Sequence, residues 1–268
     1  MKHTAALLPC AIAALCFLAP AGHAVQSATV SVDGGAVTLI VAEPQASEIT
    51  MRGALKVDLK PGWKTYWRDP GDAGVPPQID ISQSENVSGV TLRFPPPVRL
   101  ADAYTVFAGY DRSVLLPVEF DRQTPGASTV RASVFLGICE HICIPVSAMM
   151  EVAVTPATGS SLDGALVDEA FAALPGAARE GFRIIEAHLE SDRLNIFAEV
   201  PDEGPWSVFL DGGGRWSFEI PEPVAGSGGQ VRFSLAVHRK PKTGTPASGF
   251  AATLTDGARS IDQTITPE

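Results

Sequence analysis

The stretch from Ser128 to Val154 reads STVRASVFLGICEHICIPVSAMMEVAV. Two runs rich in apolar and β-branched residues, Ser128 to Leu136 and Ala148 to Val154, carry strand signals. Between them stand Cys139 and Cys143. Residues i and i+4 of an extended strand lie about 13 Å apart, whereas bridged cysteines have Cα atoms about 4.4 to 6.8 Å apart, so the chain must turn here if the two pair. Gly137 before and Pro145 after fit a short loop or helical turn interrupting two strands, because proline pushes the preceding Ile144 to extended geometry.

The same short-strand texture extends outward. SATVSVDGGAVTLIVAE holds two β-rich runs around Asp33-Gly34-Gly35, a hairpin signal, and Met51 to Leu59 alternates in the same way. Further runs lie at Gly89 to Phe94 and Ser113 to Phe120. The prolines and glycines of PGWKTYWRDPGDAGVPPQIDI, Pro61 to Ile81, predict an ordered loop, with Trp63, Tyr66 and Trp67 supplying apolar area. Many short strands bounded by turn residues predict a sandwich.

Composition changes after Thr155. Leu162, Leu166, Ala170 and Phe171 fall at helical spacing, with Ser160 or Ser161 as N-cap and Pro175-Gly176 as stop, so 158–180 is read as a helical linker. After Glu180 the β pattern resumes in about six runs, predicting a second sandwich over 181–268. Trp63 and Trp67 fall in the first half and Trp206 and Trp216 in the second, which predicts separate cores.

Of 268 residues, 25 are Gly and 22 Pro, too many turn formers for helical bundles. The formal charge of −10, from 20 basic and 30 acidic residues, argues against nucleic-acid or anionic-membrane binding, both of which need clustered Lys and Arg. With 45% hydrophobic residues the chain can bury a core. Residues 1–24 have a basic start, an apolar run and small residues at Gly22 and Ala24, the layout of a cleaved signal peptide. Cys10 and Cys16 lie inside that segment, which leaves Cys139 and Cys143 as the one pair of an exported chain whose first domain is 25–157. No second long apolar segment follows, so no membrane insertion is expected. The compartment permits disulfides.

Closing a loop of about five residues removes roughly 2 kcal/mol of unfolded-state entropy, against about 4.7 kcal/mol for a 100-residue loop. That weighs against a purely structural staple without excluding it. Spacing alone leaves thiol redox chemistry, a structural bridge and metal binding open.

Three strings in order, LKPGWKTYWRDPGDAGVPP, VFAGYDRSVLLPVEF and FLGICEHICIPVSA, resemble the amino-terminal periplasmic domain of the DsbD thiol:disulfide interchange proteins, and more closely its ScsB-like branch associated with copper tolerance. The resemblance implies an all-β chain of two immunoglobulin-like β-sandwich domains, periplasmic, with a redox pair at one edge of the first. It implies electrons arriving from a membrane-embedded thiol donor and passing to periplasmic thioredoxin-like oxidoreductases, with Cys143 exchanging, Cys139 resolving and no cofactor. Such a pair is covered in the family by an aromatic cap loop, which falls on Phe107-Ala108-Gly109-Tyr110; Phe107 is the first choice for the cap, then Tyr104 and Tyr110. The three-residue gap between the cysteines is narrower than the family's. The transmembrane and thioredoxin-like domains of longer members are not legible in these 268 residues.

Neighbouring residues extend the candidate site. His141 suits a modulator of a thiolate, and Glu140 would oppose one. One alternative is a copper(I) module, because soft thiolates select Cu(I): Cys139, Cys143 and His141 would be the ligands, with Met149 or Met150 in reserve; the other is a non-catalytic partner-binding sandwich whose disulfide is structural. Trp63, Tyr66, Trp67, Arg68 and Asp69 are assigned to packing beneath the redox loop rather than to chemistry. His188 and His238 have no nearby partner in sequence and are read as surface strand residues.

Overall fold

The computed structural model describes residues 28–44, 47–72, 74–101, 105–155, 162–242 and 249–268. The proposed signal peptide, the candidate caps Ser160 and Ser161 and the candidate Tyr104 lie outside these residues.

The first sandwich is built from β1 (Ala28–Val32), β2 (Gly35–Val41), β3 (Thr50–Leu59), β4 (Lys64–Tyr66), β5 (Gln78–Asp80), β6 (Val87–Leu92), β7 (Val98–Ala101), β8 (Val106–Tyr110), β9 (Val114–Arg122), β10 (Ser128–Cys139) and β11 (Cys143–Val154). One sheet runs β1-β2-β3-β9-β6, the other β11-β10-β4-β8-β7, with β5 also paired to β10. The β10–β11 register runs unbroken from Ser128 opposite Val154 to Cys139 opposite Cys143. Side chains alternate across a strand, so even positions (Val130, Ala132, Val134, Leu136 and Ile138, with Val146, Ala148, Met150 and Val152) all bury in the core. Odd positions face outward, and Phe135 and Met149 are exposed.

That parity puts both cysteines on the outer face of the second sheet. The turn between them is a three-residue hairpin connection rather than an interruption, and Gly137 and Pro145 face each other inside the strands. Proline is tolerated because β11 is an edge strand.

Pro61 to Ile81 differs from a plain loop, since two residues of β4, Lys64 and Thr65, and all three of β5 pair with β10. Thr65 pairs with Ile138 on one side and Tyr110 on the other, joining β10 to β8, while the flanking Pro and Gly keep the element short.

The helix α1 (Leu162–Ala172) is docked. Val167 and Ala170 pack on Ile40 and Ala54 on the outside of the first sheet, which explains why Leu39-Ile40-Val41 reads as a continuous apolar run: both of its faces are covered. Arg52 stacks on Phe171 at 4.0 Å and pairs with Asp168 at 2.8 Å.

The second sandwich comprises β12 (Gly176–Ala177), β13 (Arg183–Glu190), β14 (Arg193–Glu199), β15 (Pro205–Asp211), β16 (Ser217–Phe218), β17 (Val224–Ala225), β18 (Gln230–Arg239), β19 (Phe250–Thr255) and β20 (Ser260–Ile265). Its sheets run β12-β20-β19-β15-β17 and β13-β14-β18-β16. Three of these strands have two residues, too short for alternation to betray them in sequence. The core centres on two ring groups, Phe182 against Trp206 and a trio of Trp216, Phe218 and Phe250. The two cores are distinct clusters, with one correction to the expected separation: Phe209 of β15 joins the first core and meets Trp67 edge-on at 6.0 Å.

Candidate redox site

Cys139 and Cys143 are bonded to each other, with Cα atoms 4.1 Å apart across the mouth of the β10–β11 hairpin. Their exposures differ sharply. Cys139 is 6% exposed, because β4 and the outer-face side chains cover it, whereas Cys143 sits on the edge strand and is exposed. The intervening Glu140, His141 and Ile142 project into solvent, Ile142 being 78% exposed.

On the outer face lies a small apolar layer of Tyr66, Leu100, Phe107 and Cys139, with Val75 and Val98 against it, separate from the sandwich core. Register on β4 decides its centre. Thr65 pairs with Ile138 and donates its hydroxyl to Gly137 O at 2.8 Å, so the next residue, Tyr66, falls on the sulfur side. The Tyr66 hydroxyl lies 2.8 Å from Cys143 Sγ and 3.1 Å from Cys139 Sγ. Its ring can lie flat on β10 because residue 137 has no side chain: a Cβ there would come within 2.9 Å of Tyr66 Cε2. Phe107 is 3% exposed and tilts against the Tyr66 ring with centroids 5.2 Å apart, and Lys64 Nζ stands 6.0 Å from the Phe107 centroid. The arrangement is a dithiol/disulfide pair with one sulfur shielded and one presented, under a phenol that can donate to either.

Residues 37–154 match the family model of the thiol:disulfide interchange protein DsbD, N-terminal. The first sandwich is thus similar to a DsbD N-terminal domain. The fold of the larger part of the chain is that of the crystal structure of the N-terminal periplasmic domain of ScsB from Proteus mirabilis, at TM-score 0.76 and 21% identity, covering 91% of this chain and 99% of that one. No curated protein matches the chain in sequence.

Within this first sandwich the aromatic candidates separate. Phe107 packs beside Cys139, but Tyr110, three positions on along β8, points to the opposite face. It is buried in the core, donates its hydroxyl to Pro95 O at 2.8 Å, and has its pKa pushed well above the usual phenol value by burial. It does not reach the sulfurs. Glu140 and His141 flank the pair in the turn, exposed. Met149 and Met150 lie on opposite faces of β11, the first exposed and the second buried, so the strand presents them in opposite directions. Among the described residues no three His, Cys, Asp or Glu side chains gather as a metal site.

Sequence reasoning missed Tyr66 as a functional group. The signal was present in Gly137, a glycine inside a strand two residues before Cys139, which marks the close approach of another group. His238 is the surface strand residue expected, and its partner is distant in sequence: its Nδ1 lies 2.5 Å from Asp72 Oδ2 of the first domain. His188 likewise has a partner, Glu186, at 3.2 Å.

Proposed function

We propose that the protein carries out thiol–disulfide exchange in the periplasm, with Cys143 as the exchanging thiol and Cys139 as its resolving partner. The observation that carries this reading is the asymmetry of the pair: a protein partner can reach Cys143 Sγ, whereas Cys139 lies beneath Tyr66 and Phe107. In the reduced protein the Cys143 thiolate attacks one sulfur of a partner disulfide, forming a mixed disulfide and releasing a partner thiolate that takes up a proton. Cys139 then attacks Cys143 Sγ, the second partner thiol leaves, and two electrons have passed from the pair to the partner. A dithiol donor reverses these steps. The DsbD N-terminal match supports a membrane-embedded donor and thioredoxin-like acceptors, and the periplasmic domain of the structural relative supports the compartment. No helix among the described residues is long and apolar enough to cross a membrane.

Shielding serves this chemistry, because a reduced pair in an oxidising compartment survives only if small oxidants reach it slowly. The test is trapping. Cys139→Ser should accumulate a mixed disulfide through Cys143 and Cys143→Ser should not; absence of any trapped species, together with inertness of the wild-type bond to dithiols, overturns the reading.

A further inference from the structure

The backbone that carries Tyr66 to the sulfurs continues directly into contacts with the second domain. Trp67 meets Phe209, and the Arg68 guanidinium stacks 4.3 Å from the Trp67 ring centroid while pairing with Asp211 at 3.4 Å and Asp262 at 3.3 Å. Arg68 Nη2 also donates to Thr253 Oγ1 at 3.3 Å. Asp69 Oδ2 accepts from Gly212 N at 2.7 Å, and Asp72 accepts from Ser217 Oγ and contacts His238 Nδ1. The chain then returns to the site: a Cβ on Gly74 would stand 2.7 Å from the Tyr66 ring, and Val75 O accepts from Gly137 N at 3.1 Å.

The opposite wall is fastened too. Pro70 O accepts from Ala108 N at 3.2 Å, beside Phe107. On β7, Arg99, next to Leu100 of the apolar layer, donates to Ile220 O at 3.2 Å and pairs with Glu222 at 3.0 Å. Among the described residues, every side-chain hydrogen bond and ion pair of Arg68, Asp72 and Arg99 goes to the second domain. A Gly- and Pro-rich loop has no regular ladder to hold it, so these contacts fix its position.

We propose that the second domain is a positioning element of the redox site, a clamp that grips the loop after Tyr66 and the strand before Phe107 and thereby sets how tightly both rings close over the sulfurs. This inference rests on the exchange reading above. Loss of one grip leaves the fold intact and raises the population in which the rings stand away from the bond. Asp72→Ala and Arg99→Ala, one on each wall, are the perturbations, since Asp72, His238 and Glu222 are well exposed and none belongs to a core.

The experiment measures the rate at which dithiothreitol reduces the Cys139–Cys143 bond in the full chain, and the equilibrium of the pair against glutathione. Each single variant should be reduced about threefold faster than wild type and the double variant about tenfold faster, the scale on which half-exposed polar contacts bias a local opening. Arg183→Gln, which breaks the remote Arg183–Glu199 pair, should leave the rate unchanged. A role confined to stability predicts no such pattern in folded protein. Should Asp72→Ala fail to fold, Asp72→Asn retains an acceptor for Ser217 and should give a smaller acceleration. Rates and equilibria of folded anchor variants within about 1.5-fold of wild type overturn the clamp while leaving exchange standing. A wild-type bond inert to dithiols, with nothing trapped by Cys139→Ser, overturns the exchange reading instead.

Discussion

Replacing Tyr66 by phenylalanine removes one oxygen and leaves the ring that fills the space beside Gly137. The hydroxyl lies 2.8 Å from Cys143 Sγ, and Tyr66 is buried, so in the reduced protein it can donate to a thiolate with little competition from water. Hydrogen bonds to charged groups contribute about 1.5 to 3 kcal/mol. At about 1.36 kcal/mol per pKa unit, their loss raises the Cys143 thiol pKa by about 1 to 2 units. The thiolate fraction near neutrality then falls by up to the same factor of about ten to a hundred, but a more basic thiolate attacks faster, with a Brønsted slope of about 0.4 to 0.5. The net result is exchange slowed by about 3- to 15-fold at neutral pH, and a limiting rate above the shifted pKa that is higher than wild type's. Alkylation of Cys143 in a Cys139→Ser background, followed from pH 5 to 10 with and without Tyr66→Phe, reads the pKa and limiting rate separately. An unchanged pKa and an unchanged rate at neutral pH would refute the assignment of the phenol as a thiolate donor.

Other perturbations have equally definite outcomes. Phe107→Ala removes a buried ring beside Tyr66 and should cost about 3 kcal/mol in urea unfolding while speeding reaction of the reduced pair with peroxide. Gly137→Ala drives a methyl into Tyr66, so both the thermal midpoint and the neutral-pH exchange rate should fall; wild-type behaviour in both would show that the ring contact is dispensable. Acid stability tests the carboxylates. Hydrogen bonds from Arg183 and Arg259 hold Glu199 and Asp202 below the usual range; burial works against Asp72 and Asp256, but hydrogen bonds from Ser217 and His238, and from the Arg259 backbone and side chain, outweigh it. The unfolded chain therefore binds more protons near pH 4, so this stabilisation is complete above the unfolded values and is lost as pH falls through the lower folded ones. Asp69, raised chiefly by burial, contributes in the opposite sense. Thermal midpoints measured from pH 6 to 2 should drop below about pH 4; a flat profile would contradict these assignments.

The outer parts of β10 and β11 were legible from their apolar and β-branched runs, but their continuation to the cysteines was not, because Gly137 and Pro145 read as loop residues when they in fact face each other inside the ladder. The second sandwich was legible for the same reason in its longer strands. What stayed hidden depends on register between distant elements. Nothing in the string Lys64-Thr65-Tyr66 says which parity faces β10, so the phenol could be read as packing and its contact with the sulfurs could not be seen. Tyr110 was misassigned through the reverse error, since proximity to Phe107 in sequence says nothing once alternation places them on opposite faces. The grip of Asp72 on His238 joins residues 166 positions apart, and neither carries a local pattern that names the other.

The shared parity of β10 ties chemistry to the fold in one further way. A single-residue insertion in β10 ahead of Val134, unless a bulge absorbs it, would turn Cys139 into the sandwich core and Val134 and Leu136 out to water. A two-residue insertion restores both faces at once and merely lengthens the ribbon on which the pair is mounted. This hairpin can therefore change length in steps of two while leaving the sulfurs beneath the same phenol, whereas an odd step needs a bulge to restore the parity.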